Sequence, residues 1–221
     1  VFGGFDGIMA SLIIISAAAG ASLSWRVVVV LGVASVLANS ISTGVSEYLS
    51  SKAHRAFIQA EKRRGLWEFK NYKEAEMFEM VNRFESRGMA RKDAELVVGK
   101  MAQYETFFVN LMVCEDLGMQ LTEENDASFL TDAFVMFASY ATFGAIPILL
   151  FCLGSVGLSS SWELYLISVG SSLVVLSLLG VVKSTFSGSN WFVAALEVLA
   201  VGIACSGVAY ALGYQLIAFF M

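Results

Sequence analysis

Hydrophobic residues form five long, nearly continuous runs along this chain, and short breaks containing Ser and Gly separate neighbouring runs. A helix needs roughly 20 apolar residues to cross a bilayer core of about 30 Å, and each run reaches or nearly reaches that length. The runs do not alternate between polar and apolar residues, so they predict helices rather than the strands of a membrane barrel. The predicted spans are Phe2–Leu23, Val27–Tyr48, Phe129–Leu153, Trp162–Val182 and Trp191–Phe220.

One long polar segment interrupts this pattern between the second and third predicted spans. All of the 14 Lys and Arg residues except Arg26 and Lys183 lie between Lys52 and Lys100. Because cytosolic loops of membrane proteins are enriched in Lys and Arg, this segment is expected to face the cytosol. The sequence therefore predicts an all-α membrane protein with five transmembrane helices and a three-helix cytosolic insert. The expected divisions are residues 1–48, 49–128 and 129–221.

Helix boundaries inside the insert are predicted from its glycines and its most polar stretch. Gly65 and Gly88 are the expected breaks, together with the residues around Asn71. Residues 122–125 are a weak helix-capping segment before the third span. The three helices predicted in this way are Ser50–Arg64, Lys73–Ser86 and Lys92–Leu117.

Composition supports a membrane protein and excludes several other classes. The chain is 57% hydrophobic and 15% charged, with a mean hydropathy of +0.70, whereas soluble proteins are about a quarter charged. No basic stripe is interleaved with aromatic residues, so no nucleic-acid partner is expected. The three cysteines are widely spaced and predict neither a disulfide framework nor a zinc ribbon. We see no nucleophile–base pair or phosphate-binding loop, so we do not expect an enzyme.

Ionisable residues inside the predicted spans are few. An ionised side chain at the centre of a span costs about 2.5–3.5 kcal/mol on insertion scales, so such residues are candidates for function. Asp6 lies among glycines that favour close backbone packing, and Glu197 has no cation near it in sequence. Glu197 therefore either pairs in the fold or is protonated, and a role in transport remains equally open. Glu47 and Asp132 lie near span ends, where solvation is an equally good interpretation.

A polar stripe follows one face of the second predicted span. Its members recur every four residues, which places them on one side of a helix. Such stripes often hold membrane helices together, but a row ending in a carboxylate also suits a hydrated path for a cation. Both interpretations remain open from spacing alone. The stripe consists of Ser35, Asn39, Thr43 and Glu47.

Carboxylates and thioethers recur together in the insert. Glu76 and Glu79 are three residues apart, and further along the insert Met112 and Asp116 are four apart, with Glu115 adjoining. Oxygen and thioether ligands suit a borderline divalent cation such as Fe(II), or Mn(II) if oxygen dominates. The alternative is that the glutamates are solvated surface residues and the methionines fill the core.

Motifs of this chain resemble those of the vacuolar iron transporter family over essentially its whole length. Gly4–Ile8 resembles that family's Asp-Gly motif in the first span, and Ile41–Ser50 resembles its second-span signature. No single motif would be specific, but the set is. The other matching segments are Met112–Gly118, Gly144–Pro147 and Lys183–Gly188.

This resemblance implies a homodimer of five-span subunits in a vacuolar or other endomembrane. It implies exchange of Fe(II) for protons, with Mn(II) as a second ion and no prosthetic group. Asp6 and Thr43 would then lie in the metal path, with Glu47 at its cytosolic end. The insert would be a cytosolic metal-binding domain of three helices. Its implied ligands are Glu61, Glu68, Glu76, Glu79, Met112 and Asp116.

Two departures from the family pattern bear on the ion. Thr43 stands where the family usually has Met, and the loss of a soft thioether weakens the preference expected for Fe(II) over Mn(II). Ser35 stands about where some members carry Glu, which removes one site for proton coupling. The alternative function from a different class is a membrane-anchored metal sensor or store, in which the insert binds ions but none crosses.

Overall fold

The computed structural model describes residues 2–118, 126–157, 161–188 and 190–220. In these ranges the chain forms seven α-helices and no β-strand. The helices are α1 Phe2–Gly20, α2 Trp25–Ser86, α3 Arg91–Met101, α4 Glu105–Leu117, α5 Asp126–Gly157, α6 Ser161–Ser187 and α7 Trp191–Phe220.

The chain divides into two compact units. The membrane unit comprises Val1–Tyr48 and Ala127–Met221, and the polar unit comprises Leu49–Asp126. Five helices are long and apolar enough to cross a bilayer, which confirms the five predicted membrane helices. Four of these candidate spans lie in α1, α5, α6 and α7, and the fifth lies in α2, which contributes residues to both units.

Small residues let helices of the membrane unit approach backbone to backbone. Added Cβ atoms on Gly20 and Gly213 would lie only 2.1 Å and 2.2 Å from the carbonyl oxygens of Tyr210 and Ala17, respectively. The hydroxyls of Ser16 and Ser206 are 2.7 Å apart across the same pair of helices. Without a hydrophobic driving force between helices in lipid, this close packing and hydrogen bonding hold α1 against α7.

Close packing also joins α1 to α5. A Cβ on Gly7 would lie 2.4 Å from the carbonyl oxygen of Tyr140, and Ser11 Oγ donates a 2.6 Å hydrogen bond to the carbonyl oxygen of Gly144. The close backbone packing expected from the glycines around Asp6 is therefore confirmed. Asp6 itself is exposed on this chain, between the half-buried Phe5 and the buried Gly7.

The polar unit has its own hydrophobic core, built from the later part of α2 with α3 and α4. The rings of Phe69 and Phe108 lie 5.0 Å apart, and Ala94 and Val98 of α3 are fully buried beside them. The remaining buried members of this core are Met80, Val81, Ala102, Val109, Met112 and Val113.

The predicted break at Gly65 is wrong. Helix α2 continues through Tyr48 and Gly65, so Ser50–Arg64 is no separate helix. Gly65 is buried, and a Cβ there would lie 3.3 Å from Val109 Cγ1, so this glycine serves packing against α4. The break expected near Asn71 occurs at Tyr72, where φ is −134° and ψ is 39° inside α2.

The expected break at Gly88 is confirmed by its φ of +99°, a value that favours glycine. The single helix predicted over Lys92–Leu117 is wrong, because α3 ends at Met101 and α4 begins at Glu105. The backbone at Tyr104 is non-helical, with φ −110° and ψ 83°. This turn lets Val98 of α3 and Phe108 of α4 pack into the same core. The predicted capping segment 122–125 lies outside the described residues.

Candidate metal-binding cleft and polar row

A small cleft in the polar unit brings together four of the residues predicted as metal ligands. Glu76, Glu79, Met112 and Asp116 line it, and it has room for about one water molecule or ion. Two further residues that the sequence did not single out as ligands, Met80 and Arg83, complete the lining. We call this site the Glu76–Asp116 cleft.

The helical period explains why these residues meet. Three lining residues follow Glu76 on α2 at distances of three, four and seven residues: Glu79, Met80 and Arg83. This spacing places all four on one face of α2 beyond the kink at Tyr72. Met112 and Asp116 are four residues apart on α4 and likewise share a face. The cleft is the seam between these two faces.

Thioethers and carboxylates occupy different depths of the cleft. The Met80 and Met112 side chains are 2% and 4% exposed and belong to the hydrophobic core of the polar unit. Glu79 and Asp116 are exposed, and Glu76 is half-buried between these extremes. The core therefore fixes the soft sulfur groups, while the charged oxygens remain at the solvent edge, where their ionisation costs least.

Arg83 connects the two carboxylates at the edge of the cleft. Its Nη2 atom lies 2.7 Å from Glu79 Oε1 and 2.5 Å from Asp116 Oδ1. Burial lowers the pKa of the Arg83 guanidinium, but the hydrogen bonds with Glu79 and Asp116 outweigh that effect and raise the pKa. One cation thus bridges acids that lie on different helices.

Glu115 does not line the cleft. Both of its oxygens accept hydrogen bonds from Arg87, one of them at 2.9 Å. Arg87 directly follows the end of α2, so the pair joins this end to the last turn of α4 in the fork-to-fork geometry that makes Arg–carboxylate pairs strong. The structure therefore places Glu115 in a helix-joining ion pair, and its predicted role as a ligand remains a prediction.

Glu61 and Glu68 also lie outside the lining, one on each side of Arg64. Arg64 Nε donates to Glu68 at 3.0 Å, and its Nη1 donates to Glu61 at 3.4 Å. The hydrogen bond with Glu68 contributes most to raising the pKa of Arg64. The charge of Glu68 also acts on Glu76, so this second group belongs to the same electrostatic neighbourhood as the cleft.

Glu76 is the carboxylate that is hardest to ionise in this neighbourhood. Partial burial raises its pKa above the ordinary value, and the negative charges of Glu68, Glu79 and Asp116 raise it further, against an opposing effect of Arg83. A cation in the cleft would reverse this balance, because positive charge stabilises the ionised form.

Among the described residues, no group of three or more His, Cys, Asp or Glu side chains is arranged to hold a metal ion.

In the membrane unit, hydrogen bonds connect the first three members of the predicted polar stripe along α2. Asn39 Nδ2 donates to Ser35 Oγ at 3.1 Å, and Thr43 Oγ1 donates to the Asn39 carbonyl oxygen at 2.8 Å. Asn39 is exposed on this chain, and Ser35, Thr43 and Glu47 are half-buried. The row therefore lies on an outer face of the membrane unit.

Tyr140 of α5 connects this row to Asp6. Its buried side chain lies close enough to the Asn39 side chain and to Asp6 for both to act on its hydroxyl. The contact between Gly7 and Tyr140 explains this proximity, because it brings the start of α1 against α5. Tyr140 was not identified from the sequence, and no local motif marks it.

Glu197 pairs with a cation of the neighbouring helix. Its Oε2 atom lies 3.9 Å from Lys183 Nζ of α6, at the outer limit for an ion pair. Of the two interpretations open from sequence, pairing within the fold is the one that the structure supports. Its carboxylate is largely exposed on this chain.

Arg83 and Met80 could have been found from the sequence. They lie four residues after Glu79 and Glu76, respectively, and this spacing places side chains next to each other on a helix. The contact of Arg83 with Asp116 has no such local signal, because it depends on the packing of α4 against α2.

Comparison with known proteins gives one consistent result. Residues 1–214 match the profile of the VIT family. The chain is 33% identical over 219 residues to the "Vacuolar iron transporter" of Plasmodium falciparum (isolate 3D7), a match that covers 98% of this chain and 80% of that protein. The protein of the same name from Toxoplasma gondii (strain ATCC 50861 / VEG) is 35% identical over 218 residues, covering 96% and 72%. "Vacuolar iron transporter 1" of Oryza sativa subsp. japonica is 26% identical over 210 residues, covering 95% and 81%.

Proposed function

Because this chain belongs to the VIT family, we propose that it is a transporter that carries iron across a membrane. The names of its relatives support iron as the ion. The observation that carries the proposal for this chain is the lining of the Glu76–Asp116 cleft, where buried thioethers lie behind exposed carboxylates. This donor set suits a borderline cation such as Fe(II) better than it suits Mg²⁺ or Ca²⁺, which prefer oxygen alone.

We further propose that the two units perform different steps. The polar unit captures Fe(II), or Mn(II) as a second ion, from the cytosol with Glu76, Glu79, Met112 and Asp116. In the membrane unit, Asp6 and the row Ser35, Asn39, Thr43 and Glu47 conduct the ion. The hydrogen bonds along this row and its contact with Tyr140 support a fixed, polar lining.

Exchange with protons is the proposed driving reaction. A carboxylate that takes up a proton loses its attraction for a cation, so entry of protons from an acidic vacuole or storage compartment would release the metal there. We propose a homodimer because the polar row lies on an outer face of one chain. A second copy would cover this face, which would otherwise expose polar groups to lipid.

Uptake by vesicles tests the proposal directly. The purified chain is reconstituted into liposomes, and the entry of Fe(II), Mn(II) and Zn(II) is measured with and without an inside-acidic pH gradient. We expect Fe(II) to enter and the gradient to accelerate its entry. Uptake equal to that of protein-free vesicles for every ion would contradict transport.

The same assay separates a transporter from the alternative, a membrane-anchored metal sensor or store. A sensor would bind Fe(II) in the cleft but would not move it into vesicles. The polar row and Asp6 in the membrane unit favour transport, because binding in the polar unit alone would give these costly groups no role.

A further inference from the structure

Arg83 lines the Glu76–Asp116 cleft and contacts two of the carboxylates that a cation bound there would need as ligands. Its guanidinium contacts Glu79 at 2.7 Å and Asp116 at 2.5 Å, and it lines the cleft together with both thioethers. These two carboxylates come from different helices, so they can be close only if a positive charge offsets their repulsion. In the metal-free protein Arg83 supplies that charge.

We propose that Arg83 is a built-in competitor for the metal, which a divalent ion must displace from Glu79 and Asp116 before it can bind. This inference rests on the proposed role of the cleft in metal capture and adds a selectivity device to it. A monovalent cation brings no more charge than the guanidinium and gains nothing by exchange. A divalent ion brings twice the charge and also gains the thioethers as ligands.

The neighbouring pair of Arg87 with Glu115 can hold the two helices together while a metal ion displaces Arg83. Arg87 lies one helical turn after Arg83, and its two hydrogen bonds to Glu115 join α2 to α4 without entering the cleft. The two helices therefore keep one connection when Arg83 leaves Asp116. Lys70 with Glu105, 3.3 Å apart, provides a second connection between the same helices.

The Arg83→Gln variant of the full chain tests the inference. Mn(II) binding to the purified protein in detergent is measured by the electron paramagnetic resonance signal of free Mn(II), which avoids oxidation of Fe(II). We expect Arg83→Gln to bind Mn(II) about tenfold more tightly than the wild type, since a competing charge at contact distance is removed. The metal should also raise its unfolding temperature more than it raises that of the wild type.

Arg87→Gln is the matched control, because it removes the same charge four residues further along the chain, from a pair outside the cleft. It should destabilise the protein without tightening Mn(II) binding. Equal tightening in both variants would mean that net charge alone is responsible and would overturn a specific competitor. Unchanged or weaker binding by Arg83→Gln would overturn it as well.

A measurement on the wild type avoids any risk that the variant fails to fold. Phenylglyoxal modifies arginine side chains, and peptide mass spectrometry resolves each site. Mn(II) should accelerate modification of Arg83, which loses its partners, while Arg87 keeps its rate. Protection of Arg83 by Mn(II), or no change, would overturn the inference.

The same experiments distinguish a failure of the inference about Arg83 from a failure of the proposed function. If neither wild type nor Arg83→Gln binds Mn(II) or Fe(II), the cleft does not capture metal and both proposals fail. The wild type could instead bind metal in the cleft while Mn(II) fails to accelerate modification of Arg83 and Arg83→Gln fails to bind Mn(II) more tightly. In that case only the competitor role of Arg83 is rejected.

Discussion

In the polar unit, acidic side chains are abundant and many of them pair with an arginine. In the membrane unit, Asp6 and the α2 row have mostly neutral hydroxyl and amide groups around them. Arg83, Arg87 and Arg64 pair with the acids of the polar unit. Ser35, Asn39 and Thr43 bond to one another or to the backbone. Water screens repulsion in the first region, but within a bilayer each added charge is costly. The difference teaches that a region in water can hold many charges, while a region inside a bilayer has to use few.

The largest effect is expected from Asp6→Asn in the membrane unit. Asp6 is the only carboxylate in α1, and it lies within electrostatic reach of Tyr140 beside the polar row. Its loss should reduce Fe(II) uptake into vesicles about a hundredfold or more, equivalent to about 2.7 kcal/mol in the barrier. Mn(II) binding to the purified chain should stay unchanged, because the cleft is intact.

Glu163→Gln is a matched control for Asp6→Asn. Glu163 is likewise an acid near the start of a membrane-unit helix, in the first turn of α6, and it is exposed. This variant should transport normally. If Asp6→Asn also transported normally, the assignment of Asp6 to the conduction region would be wrong.

Gly7→Ala should disturb the membrane unit through packing alone. The added Cβ would lie 2.4 Å from a backbone oxygen of α5 that has no freedom to move aside, and overpacking of this kind costs typically about 1–3 kcal/mol. We expect a lower unfolding temperature in detergent and reduced uptake, since α1 and Tyr140 separate. Gly170→Ala, where a Cβ meets nothing within 4 Å, should change neither quantity.

Glu76→Gln should affect stability and metal binding in opposite directions. The raised pKa of Glu76 reflects burial and repulsion from Glu68, Glu79 and Asp116, so the amide relieves repulsion and should stabilise the metal-free protein at neutral pH. Mn(II) should bind about tenfold more weakly, because one charged ligand is lost. Glu74→Gln, an exposed acid two residues earlier, should do neither.

The pH dependence of stability follows from the same raised pKa. The folded state holds a proton on Glu76 more tightly than the unfolded state does, so the contribution of Glu76 to stability grows as pH falls from the raised pKa towards the ordinary value of 4.5. It is constant below 4.5 and lost above the raised pKa. Unfolding titrations should show this increase in the wild type and not in Glu76→Gln. A parallel profile for both proteins would contradict it.

The smallest effect is expected from Gly65→Ala in the polar unit. Here the Cβ would meet the side chain of Val109 at 3.3 Å rather than a backbone atom. Alanine favours the helix by roughly 1 kcal/mol over glycine, and a small shift of Val109 offsets part of that gain. The unfolding temperature should therefore rise slightly or stay constant. A marked fall would indicate that the chain does break at Gly65.

Sequence patterns were sufficient for the membrane helices but not for the helices of the polar unit. Some apolar runs are long enough to cross a bilayer as a helix. Such a run has few alternatives to a membrane-spanning helix. Gly65 and Gly88 carry the same local signal, yet one is a buried packing residue and the other a turn with positive φ. Their difference arises from α4, whose Val109 and Val113 side chains lie 3.3 Å and 3.5 Å from the Cβ position of Gly65.

By itself, the sequence determined the five apolar spans, the polar segment between two of them and the residues that resemble the VIT family. These are properties of local composition and spacing, which do not depend on how helices pack. Only the tertiary structure decided that Arg83 of α2 lies between Glu79 and Asp116, that Glu115 pairs with Arg87, and that Tyr140 lies within electrostatic reach of Asn39 and Asp6. These contacts join residues distant in sequence, and the packing of α2 against α4, and of α1 and α2 against α5, brings them together.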